Sequence, residues 1–167
     1  ISNLILINFL KKLDRHLMMP LMGIMLILIS PSWILSKELI TQSNKSSWLA
    51  MYISPNFTLK ELIYSPDAQR ANIKQEPTLL AVARMTVLVI KVLQPIRDHY
   101  NKALKVNSCF RSKEWNAHIN GSSKSHHCCN GESSAADIEI VSESVSNLEL
   151  AEYIRDNLEF DQLILEN

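Results

Sequence analysis

The run Ala135-Ala-Asp-Ile-Glu-Ile-Val141 alternates with a period of two. Ala136, Ile138 and Ile140 fall on one side, and Ala135, Asp137 and Glu139 on the other. Successive side chains of an extended chain point to opposite faces, so the run predicts a half-buried strand with one apolar and one wet face. Whatever this chain folds into must therefore supply a sheet that is covered on that apolar side.

The flanking segments say what covers it. Thr58-Leu-Lys-Glu61 fits a capping box, in which the Thr hydroxyl caps and Glu61 reaches back. It opens a short helix through about Tyr64, stopped before Pro66. Thr78 to Tyr100 is rich in Leu, Val and Ile and predicts a long helix, which Pro95 should kink or end. Ala103–Ser108 reads as a strand, and a short helix opens at Ser112. Asn120 to Ser134 is a loop rich in Gly, Ser and Asn. Ser146-Asn-Leu-Glu149 is a second capping box. It opens an amphipathic helix with Leu148, Ala151, Ile154 and Leu158 expected on one side. Asp161–Glu166 is a last strand. The order predicts an α+β domain with a small, mainly antiparallel sheet flanked by helices. No internal repeat is present.

The domain is expected over residues 51–167, preceded by an extension over 1–50. Leu17 to Ser36 carries no charge and follows Lys11, Lys12 and Arg15. That pattern fits a signal-like segment or a membrane anchor. It also fits upstream sequence foreign to the domain, or a buried core helix, and Pro20, Gly23 and Pro31 weaken any continuous helix there. Residues 41–50 are polar and Ser-rich and read as a linker. Membrane association through residues 17–36, and a cell-envelope or periplasmic location, follow from the first reading. A cytoplasmic or phage-associated location follows otherwise. Ile1 in place of Met reads as a fragment or a processed product.

The 17 basic and 17 acidic residues give a net charge of zero. That argues against a nucleic-acid partner, which needs a clustered basic excess. The three cysteines, Cys109, Cys128 and Cys129, leave the redox compartment open. Neighbours such as Cys128 and Cys129 rarely bridge each other, so a pairing would involve Cys109.

The loop "SKSHHCCNGESS" leads into the Asp137 strand. Imidazole and carboxylate both donate lone pairs to a metal, and zinc accepts them in tetrahedral geometry. His127 ends the loop and Asp137 lies ten positions later. A loop folding back brings the two together, while a solvated loop with Asp137 on the wet face is the plainer alternative.

Several blocks occur in one order: "NFTLKELIYSPDAQR", "VLQPIRDHYNKALKVNSCFRSKEWN", "GSSKSHH…GE…AADIEI" and "NLELAEYIRDNLEFDQLILE". From Ser54 to Glu166 the chain resembles the zinc D-Ala-D-Ala carboxypeptidase family of peptidoglycan peptidases, above all its small phage and bacterial members. The resemblance implies the zinc DD-peptidase or hedgehog-like fold, Zn2+ as cofactor, a peptidoglycan stem peptide as partner and a monomer. Ser125 and His127 fall on the family's Ser-x-His, and Asp137 on its ligand Asp, so His127 and Asp137 are the implied metal ligands. Arg111 falls on the Arg implied to hold the substrate's terminal carboxylate. A guanidinium fork suits that group. Ser125 is the second implied substrate contact. Metal-assisted amide hydrolysis is the implied reaction, with Glu166 the nearest carboxylate to the family's general base.

The chain departs from the pattern at three points. The His-to-Asp spacing is three residues longer than the family's. Cys109 stands where the family has Gly. The Trp-x-His segment that follows the family's last strand and carries its third ligand has no counterpart before Asn167. A C-terminally truncated domain with impaired activity is the resulting expectation, with a non-catalytic peptidoglycan-binding module or a degenerate fragment of the same fold as alternatives.

Overall fold

A computed structural model describes residues 4–9, 51–130 and 133–166. The uncharged segment 17–36 and the linker 41–50 lie outside the described residues. Strand β1 (Leu4–Phe9) comes first, then a small hairpin of β2 (Tyr52–Ser54) and β3 (Phe57–Thr58). Helices α1 (Leu59–Ile63), α2 (Pro66–Arg70) and α3 (Leu79–Leu88) follow. α3 runs through a π-helical stretch, Val89–Leu93, into α4 (Gln94–Tyr100). The remainder is β4 (Ala103–Ser108), α5 (Lys113–His118), a 3-10 turn at His126–Cys128, β5 (Ser134–Val141), α6 (Asn147–Asn157) and β6 (Gln162–Glu166).

The main sheet has the order β4-β5-β1-β6, and each neighbouring pair is antiparallel. The fold is therefore α+β with a small antiparallel sheet, as the alternation and the caps predict. β5 and β6 run parallel to each other with α6 between them in sequence, and β1 fills the slot they leave. The sequence sets the start of the domain at residue 51, yet residues 4–9 pair on both sides: Ile5 with Ile138 and Leu165, Leu6 with Asp137 and Ile164, Ile7 with Ala136 and Leu163. Ile5 and Ile7 have no exposed surface, so β1 is a core strand.

The helical caps form as their residue types dictate. Thr58, Thr78, Ser112 and Ser146 each accept a hydrogen bond from the backbone N–H three residues on. At Ser146 both halves of the capping box are present. Ser65 with Pro66 behind it opens α2, an N-cap followed by Pro in the first turn, so Pro66 starts a helix as well as stopping the one before it. Pro95 does not end the long helix. It lies in the first turn of α4, directly after the π stretch, where the Gln94 N–H reaches back to the Val89 carbonyl. The wider turn absorbs the missing donor. The 22 residues from Leu79 to Tyr100 are long and apolar enough to cross a membrane. Leu88, Val89, Val92, Leu93 and Ile96 are nevertheless fully buried against the domain's own core.

Two expected faces are corrected. On α6 the buried stripe is Leu150, Ala151 and Ile154, while Leu148 is 54% exposed. At roughly 100° per residue Leu148 lies almost opposite Leu150, so it cannot share the core side. On β5 the wet face is also covered: Ala135 and Asp137 are buried along with Ala136, Ile138 and Ile140. The roof over Asp137 is the loop that carries His127 and the segment that carries Arg111.

Candidate metal and peptide site

The site begins with an irregularity at the end of β4. The pairing of β4 with β5 shifts register between Val106 and Ser108, and Ser108 then stands opposite Asp137. A bulge turns the chain and re-aims the residues after it. Here it carries Cys109, Phe110 and Arg111 over the end of the sheet. The Arg111 guanidinium lies over Asp137, with Nη2 3.3 Å from Oδ2, and its Nε donates to Ser108 Oγ at 3.2 Å.

The second wall is the 3-10 turn. Its backbone is pinned to the same segment: the Arg111 N–H donates to the His127 carbonyl at 2.9 Å. The His127 ring is held from behind, because Nδ1 lies 2.9 Å from the Cys109 carbonyl oxygen. A carbonyl only accepts, so Nδ1 carries the hydrogen and the lone pair of the neutral ring sits on Nε2. That atom points at Asp137, 3.5 Å from Oδ1.

With the ring neutral, Nε2 and Oδ1 are both acceptors and suit a positive centre between them; with Nε2 protonated the same contact is an imidazolium–carboxylate pair. A zinc ion bonded to nitrogen and oxygen at about 2.0–2.2 Å with a tetrahedral angle separates them by about 3.4 Å. The backbone carbonyl behind the ring is the usual support of a metal-binding His. His127 and Asp137 thus fit two corners of such a site, and Arg111 lies beside them. Among the described residues no group of three or more His, Cys, Asp and Glu converges on one point.

The cysteines do not supply a third corner there. All three are buried and free. Burial pushes the Cys109 thiol well up, with Cys129 and Asp137 adding to it, and pushes Cys129 up to about 12. Cys128 is raised by burial as well, partly offset by Arg111 and Lys113. Among the described residues none of them joins His127 and Asp137 in a group of three that converges on one point. Cys129 closes the 3-10 turn in the left-handed region at φ 48°, and its thiol donates to the His127 carbonyl. His126 is tied through Nδ1 to Ser133 Oγ, and His118 stacks on Trp115 at the end of α5.

A cavity of about 440 Å³ opens beside the pair. It is lined by Leu6, Arg111, Asn116, Gly121, Ser122, Lys124, Ser125, His126, His127 and Gln162. Ser125 stands at the N-cap position of the 3-10 turn, without a side-chain cap bond, and lines the cavity. Leu6, Asn116, Lys124 and Gln162 were not legible as site residues. Asn116 is buried, donates to the Ser122 carbonyl at 2.9 Å and leaves its Oδ1 without a partner. A Cβ on Gly121 would come within 2.3 Å of that oxygen, which explains the glycine. Glu166 pairs with Leu4, four residues along β6 from Gln162, or roughly 13 Å at strand rise. The cavity's β6 wall is Gln162.

A larger cavity of about 680 Å³ lies between α1, α2 and residues 72–77. Gln75 links its rim to the site, since Gln75 Oε1 accepts from the Ser112 N–H next to Arg111.

No curated protein and no solved structure matches the chain. Residues 55–167 match the family Peptidase M15. That range takes in α1, the β4–α5 segment, the His127 turn, β5 and β6, so the chain belongs to the Peptidase M15 family.

Proposed function

We propose that this chain is a zinc-dependent peptidase domain that recognises and hydrolyses D-Ala-ended stem peptides of peptidoglycan. The observation that carries the reading is the His127–Asp137 pair: two lone-pair atoms 3.5 Å apart, with the imidazole tautomer set by the Cys109 carbonyl. Family membership supports the peptidase class.

When bound between His127 and Asp137, zinc would polarise a scissile carbonyl and acidify a water. The chain's own residues do the rest. Arg111 spends two of its donors on Ser108 and Asp137 and keeps others for a peptide's carboxylate. Its side chain is 24% exposed, so the charge stays reachable from the cavity. Lys124 adds a second cation to the rim, and Ser125 offers a hydroxyl. Glu166 is the nearest carboxylate here to the family's general base.

The reachable Arg111 guanidinium in the cavity also supports a second reading, a peptide-binding module without turnover. One experiment separates the two. The purified chain is incubated with zinc and an acetylated lysyl-D-Ala-D-Ala peptide, and released D-Ala is measured beside peptide binding. Release that a chelator and His127→Ala both abolish supports the peptidase. Binding that survives the chelator, with no release, supports the module. No binding and no release defeats both.

A further inference from the structure

We infer that Gln75, which lies outside the His127–Asp137 pair and the cavity beside it, is a positioning residue that fixes Arg111 for a ligand carboxylate. This rests on the peptide reading above and deepens it.

Arg111 sits on a short bridge between the end of β4 and the start of α5. Three successive N–H groups of that bridge are held by three different parts of the fold. The Phe110 N–H donates to the Leu62 carbonyl of α1 at 3.0 Å, and the Arg111 N–H to the His127 carbonyl at 2.9 Å. The Ser112 N–H donates to Gln75 Oε1 at 2.9 Å. The first two acceptors are main-chain carbonyls, which every residue type supplies. The third is a side chain, so it exists only because residue 75 carries an acceptor of the right reach. Gln75 Nε2 also faces Ser112 Oγ at 3.4 Å, and that hydroxyl caps α5 by accepting from the Trp115 N–H.

Gln75 is itself aimed by the end of α2. Asn72 takes the left-handed conformation at φ 56°. The Ile73 N–H returns to the Ala68 carbonyl and the Asn72 N–H to the Gln69 carbonyl. Those two bonds form a Schellman motif, which sets the direction in which residues 73–77 leave the helix. Gln75 follows, half-buried on the rim of the cavity of about 680 Å³, and reaches across to Ser112. It does not line the Arg111–His127 cavity, so its action on a ligand there runs through Arg111. Ser108 and Asp137 hold the guanidinium itself. Without the Ser112 anchor, a bound carboxylate must order a segment that Gln75 now orders beforehand. Lost preorganisation of this kind lowers affinity for the charged end and spares contacts made by the rest of the peptide.

The full chain, with and without zinc, is titrated by calorimetry with acetylated lysyl-D-Ala-D-Ala and with the same peptide ended as an amide. The parent should prefer the acid by about tenfold or more, the scale of a hydrogen bond to a charged group. Gln75→Leu, which keeps the bulk and removes the acceptor, should cut that preference to about threefold. Gln75→Asn keeps the amide but falls short of Ser112, should lower the ratio in the same direction, and serves if the Leu variant does not fold. Gln69→Leu, on the exposed rim of the same larger cavity, and Ile7→Ala, in the core, should leave the ratio at the parent's value even where they cost stability. Folded Gln75 variants that keep the parent's preference would overturn the inference and leave the peptide reading intact. A parent that binds acid and amide alike, or neither, would overturn the carboxylate role of Arg111, and the inference with it.

Discussion

Replacing Ile7 with Ala tests the least expected feature of the fold, the seating of β1 in the middle of the sheet. Ile7 has no exposed surface and pairs with Ala136 and Leu163. The substitution removes three methylene equivalents, worth about 2.4 kcal/mol in transfer at about 0.8 each. The space left behind is bounded by paired backbone on both sides and closes poorly. At about 24 cal/mol per Å³, a cavity of some 50–70 Å³ adds roughly 1–2 kcal/mol. The expected loss is therefore about 3–4 kcal/mol, a large share of the roughly 5–15 kcal/mol that holds a domain together. Urea unfolding followed by circular dichroism measures it, with Leu148→Ala as the surface control. Leu148 is 54% exposed, and its loss should stay within about 0.5 kcal/mol. If Ile7→Ala is no worse than Leu148→Ala, residues 4–9 do not complete the sheet, and Leu6 has no place in the cavity either.

Leu6→His sets an imidazole level with Asp137 on the adjacent strand, where opposed Cβ atoms lie about 5 Å apart. Zinc affinity measured by competition with a fluorescent chelator should rise at least tenfold over the parent, and an unchanged affinity would remove the metal from between His127 and Asp137. Gly121→Ala pushes Asn116 Oδ1 off its place and should break the bond to the Ser122 carbonyl, at about 1–3 kcal/mol by thermal unfolding. An unchanged melting temperature would show that the loop yields freely. Ser146→Ala should cost about 1 kcal/mol at neutral pH through the lost cap of α6. The Ser146 N–H and hydroxyl hold the Glu149 carboxyl below its usual range. The box's contribution is accordingly full above Glu149's unfolded pKa and fades as pH falls through the lower folded one, so the penalty of Ser146→Ala should shrink in acid.

The local half of this fold is legible because its signals are local. Thr58, Thr78, Ser112 and Ser146 announce helix starts through a hydroxyl and a backbone N–H three residues apart. Asp137 could be placed on the opposite face from Ile138 by counting in twos. What failed to show were the pairings between distant segments. "LILINF" is apolar without alternation, and nothing in it tells a strand paired on both edges from the start of an apolar leader. The cover over Asp137 was hidden for the same reason: its exposure depends on a loop and an Arg whose positions no pattern within β5 encodes. On α6 a spacing of three from Leu148 to Ala151 and Ile154 matches an amphipathic stripe, but the burial is centred between Leu150 and Ile154.

The longer spacing between His127 and Asp137 is where local and distant effects meet. Ten positions separate the two residues, and yet their side chains meet at 3.5 Å. Added length in a loop costs little entropy, but it misplaces a ligand unless something else fixes that ligand's position. Here His127 is fixed from the β4 side rather than along its own loop. The Arg111 N–H holds its carbonyl, the Cys109 carbonyl holds its ring, and both partners are aimed by the shift in register before Ser108. Extra residues on the far side of His127 then have no lever on the imidazole. Cys129 takes a left-handed conformation and His126 bonds to Ser133 as the chain returns to β5. The same reasoning bears on Cys109: its role toward His127 runs through a main-chain carbonyl, which a different side chain at that position would still supply.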